Sequence, residues 1–284
     1  MIFREFGTTG VQMPVIGQGT WNMGDVRARA EEEIRSLRIG IDLGMTHIDT
    51  AEMYGDGRAE VQVGRAISGI RHKVFLTSKV LPSNSSCPGT LRACEQSLKR
   101  LGTDYLDLYL LHWWSEKHSI EETMAAMEQL VRVGKVRFIG VSNLEIHQLL
   151  QAQEALVREK IVCNQVCYHL QARGIEFSLV PHCESRGIAV VGYSPFGSGK
   201  FPEEGSRKWK ALAGIARRHG KTPRQVALNF LTRHKGVFSI PKAVNADHVR
   251  ENADGAGWDL SAEDLRSIDE AFPPPAGDSP LEVI

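Results

Sequence analysis

Asp49, Tyr54, Lys79 and His112 are ionisable side chains that fall at or just past the ends of three successive apolar runs, 47–50, 74–79 and 106–111. Together they describe a proton donor. Asp49 can hold Lys79 charged, and the ammonium can lower the pKa of Tyr54 from a free value of about 10. A tyrosine tuned this way can protonate a carbonyl oxygen as that oxygen gains negative charge. His112 can hydrogen-bond the same oxygen and fix its position. That is half of a carbonyl reduction; the other half is a hydride, which no side chain supplies. A second chemistry also fits Lys79, a Schiff base of the aldolase type. Taken singly, Asp49–Tyr54 is an ordinary polar turn before Gly55-Asp56-Gly57, Lys79 a lysine snorkelling to a rim, and His112 a satisfied rim histidine.

Positioning these groups needs rigid elements beneath them. Ile34, Leu37 and Ile41 mark an amphipathic helix running into Gly44, and the strand before Asp49 follows. Residues 2–15 read as a hairpin around Gly7-Thr8-Thr9-Gly10. Beyond it, strands are expected at 15–18, 47–50, 74–79, 106–111, 136–141, 162–167, 188–193 and 237–240. Helices are expected at 27–43, 60–68, 90–100, 121–133, 144–156, 177–186, 206–234 (broken near Gly220 and restarted at Thr222-Pro223), 246–254 and 261–271. Ser261 opens the last helix, with Glu263 one residue early for a full capping box. Strands alternating with helices and no break in composition predict an α/β fold: one (β/α)8 TIM barrel domain over 1–284, with an N-terminal β-hairpin and an irregular tail over 272–284. Strand periodicity puts Thr77 and Lys79 on one face, and Leu108, Leu110 and His112 on one face. In such a barrel, chemistry gathers at the carboxyl ends of the strands. An open doubly wound sheet is the alternative, but Gly17-Gln18-Gly19-Thr20-Trp21-Asn22 lacks the third glycine of a dinucleotide fingerprint, and Gly197-Ser198-Gly199-Lys200 fits neither that nor a P-loop.

Composition excludes other classes. The chain has 284 residues, 42% of them apolar, with 34 basic against 34 acidic side chains. That balance argues against nucleic acid or an anionic membrane as a bulk partner. The five cysteines form no CxxC pair, so free thiols in a reducing compartment are expected. Cys163 and Cys167 share a strand face, which suits core packing rather than metal. No run approaches membrane-spanning length and Met1 leads into Phe3-Arg4-Glu5-Phe6 without a signal-peptide pattern. A cytoplasmic monomer acting on a small-molecule carbonyl substrate is the expectation.

Ile48-Asp49-Thr50-Ala51-x-x-Tyr54-Gly55, Ser78-Lys79, Leu111-His112-Trp113, Gly140-Val141-Ser142-Asn143, Asn164-Gln165, Tyr193-Ser194-Pro195 and Ile240-Pro241-Lys242 resemble the aldo-keto reductase family, in family order from about residue 2 to 272. Gly17–Trp21, Asp104–Tyr109 and Tyr168-His169-Leu170 narrow the resemblance to its bacterial methylglyoxal reductase-type members. The resemblance implies a barrel that binds NADPH across its carboxyl face, with Asp49, Tyr54, Lys79 and His112 as catalytic tetrad. It implies that Ser142, Asn143 and Gln165 hold the nicotinamide carboxamide and that Tyr193 stacks on the ring. Gly19, Thr20 and Ile240 would border the cofactor. Ser194, Phe196, Gly197, Ser198, Gly199 and Lys200 would run along the diphosphate. Lys242, Ala243, His248 and Asn252 would meet the adenosine end, while Trp21 and Trp113 would wall the substrate pocket; Trp114 has no assigned orientation.

The chain departs from the family twice. Where many members place Ser and Arg on the 2′-phosphate, it has Ala243 and His248. His248 offers a charge only when protonated, so the grip should be weaker and NADH admitted beside NADPH. The loop after Tyr193 and the tail after Phe272 are short, which predicts an open pocket and a loosely held cofactor. A third reading, a cofactor-sensing regulatory subunit, has the intact tetrad against it.

Overall fold

The computed structural model describes residues 1–284. Two short strands, β1 (Phe3–Glu5) and β2 (Gln12–Pro14), pair antiparallel with Phe3 opposite Pro14. Eight further strands lie parallel and in chain order: β3 (Gln18–Gly19), β4 (His47–Asp49), β5 (Phe75–Val80), β6 (Leu106–Leu111), β7 (Val136–Ser142), β8 (Ile161–Cys167), β9 (Ala189–Tyr193) and β10 (Val237–Ile240). The sheet closes between its first and last strands. Gly17 donates to Ser239 (2.8 Å), Ser239 to Val15 (2.9 Å) and Gly19 to Pro241 (3.1 Å). The first strand is therefore not the single run 15–18: residues 15–17 serve the closure, while only Gln18 and Gly19 pair with β4. The result is a (β/α)8 barrel with a hairpin.

Ten helices follow the strands: α1 (Ala30–Asp42), α2 (Arg58–Ile67), α3 (Cys87–Leu101), α4 (Ile120–Arg132), α5 (Ile146–Glu154), α6 (Leu179–Ser185), α7 (Arg207–His219), α8 (Pro223–Leu231), α9 (Ala246–Ala253) and α10 (Ala262–Ala271). The break between α7 and α8 falls at Gly220 (φ 61°), and Thr222 caps α8 through a full capping box with Gln225. The box at Ser261 is also complete, contrary to the sequence reading: Asp264, not a glutamate, occupies the third helical position and reaches back to the Ser261 N–H at 2.9 Å.

Strand alternation sorts the apolar residues into two layers. Along β6, Tyr109 and Leu111 join the outer core under the helices, whereas Leu108 and Leu110 join the barrel interior. Phe6 from the hairpin belongs to that interior, its ring edge against Phe238 (5.1 Å) and tilted onto Phe75 (5.5 Å). The hairpin thus plugs one end of the barrel, and the opposite end carries the polar strand termini. Asp107 fixes β5 against β6, accepting from the Leu76 N–H at 2.9 Å and pairing with Arg71 and Arg137 at 2.7 Å each. The β7–β8 register shifts between Ile139 and Val141, the kind of irregularity that re-aims the side chains beyond it, here Ser142 and Asn143.

Candidate active site

The four groups singled out from sequence converge. Asp49 ends β4, Tyr54 opens a 3-10 turn five residues on, Lys79 is the fifth residue of β5 and His112 follows β6 directly. Lys79 Nζ, with no solvent exposure, donates to Asp49 Oδ1 (2.6 Å), the Thr50 carbonyl (2.9 Å) and Tyr54 Oη (3.2 Å). These three bonds use every ammonium proton. Since Lys79 donates to Tyr54, the phenol keeps its own O–H free. Asp49 is itself held, Oδ2 accepting from Gln165 Nε2 at 2.7 Å and its carbonyl from Thr20 Oγ1 at 2.9 Å. The His112 ring stands edge-on to Tyr54, centroids 5.7 Å apart, with its backbone N–H on Val80 O.

Electrostatics corrects one expectation. Burial drives the Tyr54 phenol above its ordinary pKa, and the opposing pull of Lys79 is partly cancelled by Asp49. The net direction is up, not down, because a phenolate loses its hydration in this pocket. Burial alone would lower Lys79, but Asp49 and Tyr54 reverse it and the ammonium ends above its ordinary value. His112, desolvated and facing the Lys79 charge, is pushed down to about 2 and is neutral.

A cavity of about 440 Å³ opens over these groups. Gly19, Thr20, Trp21, Asp49, Tyr54, His112, Trp113, Ser142, Asn143, Gln165, Tyr193, Ser194, Ile240 and Lys242, all expected from sequence, line it. Lys79 does not reach it and touches the cavity-lining Tyr54 instead. A Cβ on Gly19 would stand 2.7 Å from the Ile240 carbonyl, so this wall requires glycine. Tyr193 Oη donates to Asn143 Oδ1 (2.9 Å), and Asn143 Nδ2 donates to His112 O (3.2 Å) and Ser142 Oγ (3.1 Å). The Ser142 hydroxyl proton and Gln165 Oε1 have no partner within the chain.

Besides Lys79, eight expected residues lie off this lining. Phe196, Gly197, Ser198, Gly199 and Lys200 sit on the loop that leaves the cavity at Ser194. Lys200 Nζ stands 3.4 Å from Glu282 of the tail. Ala243 and Asn252 line a small adjoining cleft with Gly19, and His248 is exposed in the first turn of α9. Sequence reading missed Met53, Val283 and Ile284 on the wall, and Trp114, left without an orientation, joins them there. Trp114 packs on the outer core and donates its indole N–H to His118 O at 3.0 Å. The tail has no helix or strand, as expected, yet it does not leave the pocket open. Leu281 N–H donates to Glu145 Oε1 at 2.8 Å, and Val283 and Ile284 reach the cavity wall. Two apolar residues closing a polar, Pro-rich segment were the only sequence signal.

The profile of the Aldo/keto reductase family matches residues 15–272. The chain belongs to that family. It is 44% identical to methylglyoxal reductase YeaE of Escherichia coli over 274 residues, 96% of each chain. It is 36% identical to glyoxal reductase of Bacillus subtilis over 264 residues, 92% of this chain and 89% of that one. An aldo/keto reductase from Klebsiella pneumoniae, crystallised with NADP and acetate, superposes on this aldo/keto reductase with a TM-score of 0.91 at 42% identity, covering 99% of each chain. No helix in this family member is long and apolar enough to cross a membrane, and no group of three or more His, Cys, Asp or Glu side chains is placed to hold a metal ion.

Proposed function

We propose that this chain reduces aldehydes and reactive ketones, methylglyoxal-like dicarbonyls foremost, to alcohols with NADPH as cofactor and NADH also accepted. The observation that carries the reading is the buried Lys79 ammonium donating to Tyr54 Oη while the phenol's own proton stays available at the cavity.

The residues present fit a nicotinamide dinucleotide. A carboxamide needs one donor and one acceptor, and the Ser142 hydroxyl proton and Gln165 Oε1 are unpaired on the same wall. The Tyr193 ring, tethered by Asn143, offers a flat surface for the nicotinamide. Lys242 supplies constant charge for the adenosine end, with His248 and Asn252 beside it in α9 and Ala243 leaving room rather than a hydroxyl. When bound, the nicotinamide supplies the hydride to the carbonyl carbon.

The side chains do the rest. Tyr54 gives its proton to the carbonyl oxygen as negative charge grows there, so hydride plus proton make the alcohol. Lys79, kept charged by Asp49, stabilises the phenolate left behind, and Gln165 and Thr20 keep Asp49 in place. Neutral His112 can donate a ring N–H to the same oxygen without bringing in a positive charge to compete with Lys79. Trp21 and Trp113 form apolar walls that orient a small substrate and keep water from it. The names of the relatives, a methylglyoxal reductase and a glyoxal reductase, support the dicarbonyl class. The Schiff-base alternative is disfavoured by Lys79 itself, which is fully buried with all its protons engaged.

The test is NADPH and NADH oxidation against a panel of small aldehydes, dicarbonyls and keto sugars. The expected result is turnover with both cofactors, fastest on dicarbonyls. No oxidation with any carbonyl, together with substrate-dependent borohydride inactivation at Lys79, would overturn the reading.

A further inference from the structure

The loop after Tyr193 has an unusual backbone and an unexpected cation beside it. Ser194 (φ 51°), Gly197 (φ 70°), Ser198 (φ 49°) and Gly199 (φ 93°) all have positive φ, the last three in succession. The N–H groups of Phe196, Ser198 and Gly199 make no hydrogen bond within the chain. Such turns aim successive N–H groups into one concavity suited to an anion. The sequence offers Lys200 as the matching charge, but its side chain is 67% exposed and leans to Glu282.

Arg224 is the better-placed cation. It is the second residue of α8, and its guanidinium carbon lies 5.0 Å from the Phe196 ring centre and 5.2 Å from that of Phe201. The two rings meet edge to face at 5.7 Å and 89°, making a corner that holds the guanidinium against the loop. Arg224 has neither an ion-pair partner nor a side-chain hydrogen bond. The nearby carboxylate of Glu251 is taken by the Thr222 hydroxyl at 2.6 Å. A guanidinium stacked on aromatic rings is oriented at little entropic cost and keeps its N–H edge for a ligand. The positive end of α8 adds to the same field.

We propose that Arg224 binds the diphosphate of the dinucleotide, the phosphate-bearing ligand that the loop's free N–H groups face. The assignment rests on the reductase reading above and adds a binding residue to it. Lys242 and His248 remain for the adenosine phosphate, so Arg224 should not discriminate NADPH from NADH.

Quenching of tryptophan fluorescence tests this, because Trp21 and Trp113 line the cavity. NADPH, NADH, ADP-ribose and 2′-AMP are titrated into the wild type, Arg224→Met and Arg224→Lys. The expected result is that Arg224→Met weakens NADPH, NADH and ADP-ribose alike by about tenfold, the scale of a charged hydrogen bond. Binding of 2′-AMP should hold, and Arg224→Lys should recover part of the loss. If NADPH alone weakens, the charge acts on the 2′-phosphate and the assignment is overturned. If nothing changes, Arg224 merely packs the rings and the assignment is equally overturned. A wild type that binds none of the dinucleotides would instead sink the reductase reading itself.

Discussion

The Lys79 ammonium has no exposed surface and no hydrogen bond outside Asp49, Thr50 and Tyr54, and its charge also bears on the neighbouring His112. Replacing it with Met should cut reduction by roughly a hundredfold or more at every pH, the scale of losing one preorganised charge. Asp49→Asn is more informative. Burial is the largest influence on Lys79, and the Asp49 carboxylate is the strongest one opposing it. Without Asp49 the lysine should deprotonate at lower pH. In the proposed mechanism the active form carries protonated Lys79 and Tyr54, both pushed upward in the wild type, so its rate should stay level through neutrality and fall only in the alkaline range. In Asp49→Asn the fall should begin at lower pH, and His112, neutral from about 2 upward, should add no acid limb to either profile. Coincident kcat profiles for wild type and Asp49→Asn would show that Asp49 does not maintain the lysine's charge. The four residues themselves were legible from strand ends. The upward direction of the Tyr54 shift was not, because it depends on how much water the folded pocket removes.

At the scale of elements, apolar runs and helical periodicity located the barrel strands and the helices to within a few residues, since most barrel-strand residues are buried whichever face they point to and each helix is buried on one. What escaped were contacts that no local pattern encodes. Gln165 reaches Asp49 across 116 positions, and the tail returns past Glu145 to the cavity wall. The hairpin was legible as a hairpin, but its role as the barrel's plug lives in Phe6, which meets Phe75 and Phe238 inside. Phe6→Ala should therefore cost about 3–5 kcal/mol of stability, the usual range for emptying a buried phenyl site. It should leave the rate per folded molecule nearly intact, because the plug lies at the end away from Tyr54. Urea unfolding with parallel kinetics checks both; a small stability loss with a large rate loss would contradict this division.

For the whole molecule, the fold matters because it brings strand ends from distant parts of the chain to one mouth. The residues proposed to face the cofactor come from β3, β7, β8, β9 and β10, while the proposed proton-donating group is built at the ends of β4, β5 and β6. The order of the motifs made this arrangement readable before the structure, and the eight-stranded closure turns that order into a ring. The proposed mechanism has this ring deliver one proton, from Tyr54, to a carbonyl oxygen. Tyr54→Phe keeps the ring against His112 and removes the only hydroxyl that Lys79 addresses. The direct measurement is NADPH oxidation with methylglyoxal by this variant, beside its NADPH affinity. The predicted result is a rate lowered by about two to four orders of magnitude with affinity little changed; a variant that still turns over at a tenth of the wild-type rate would contradict the claim.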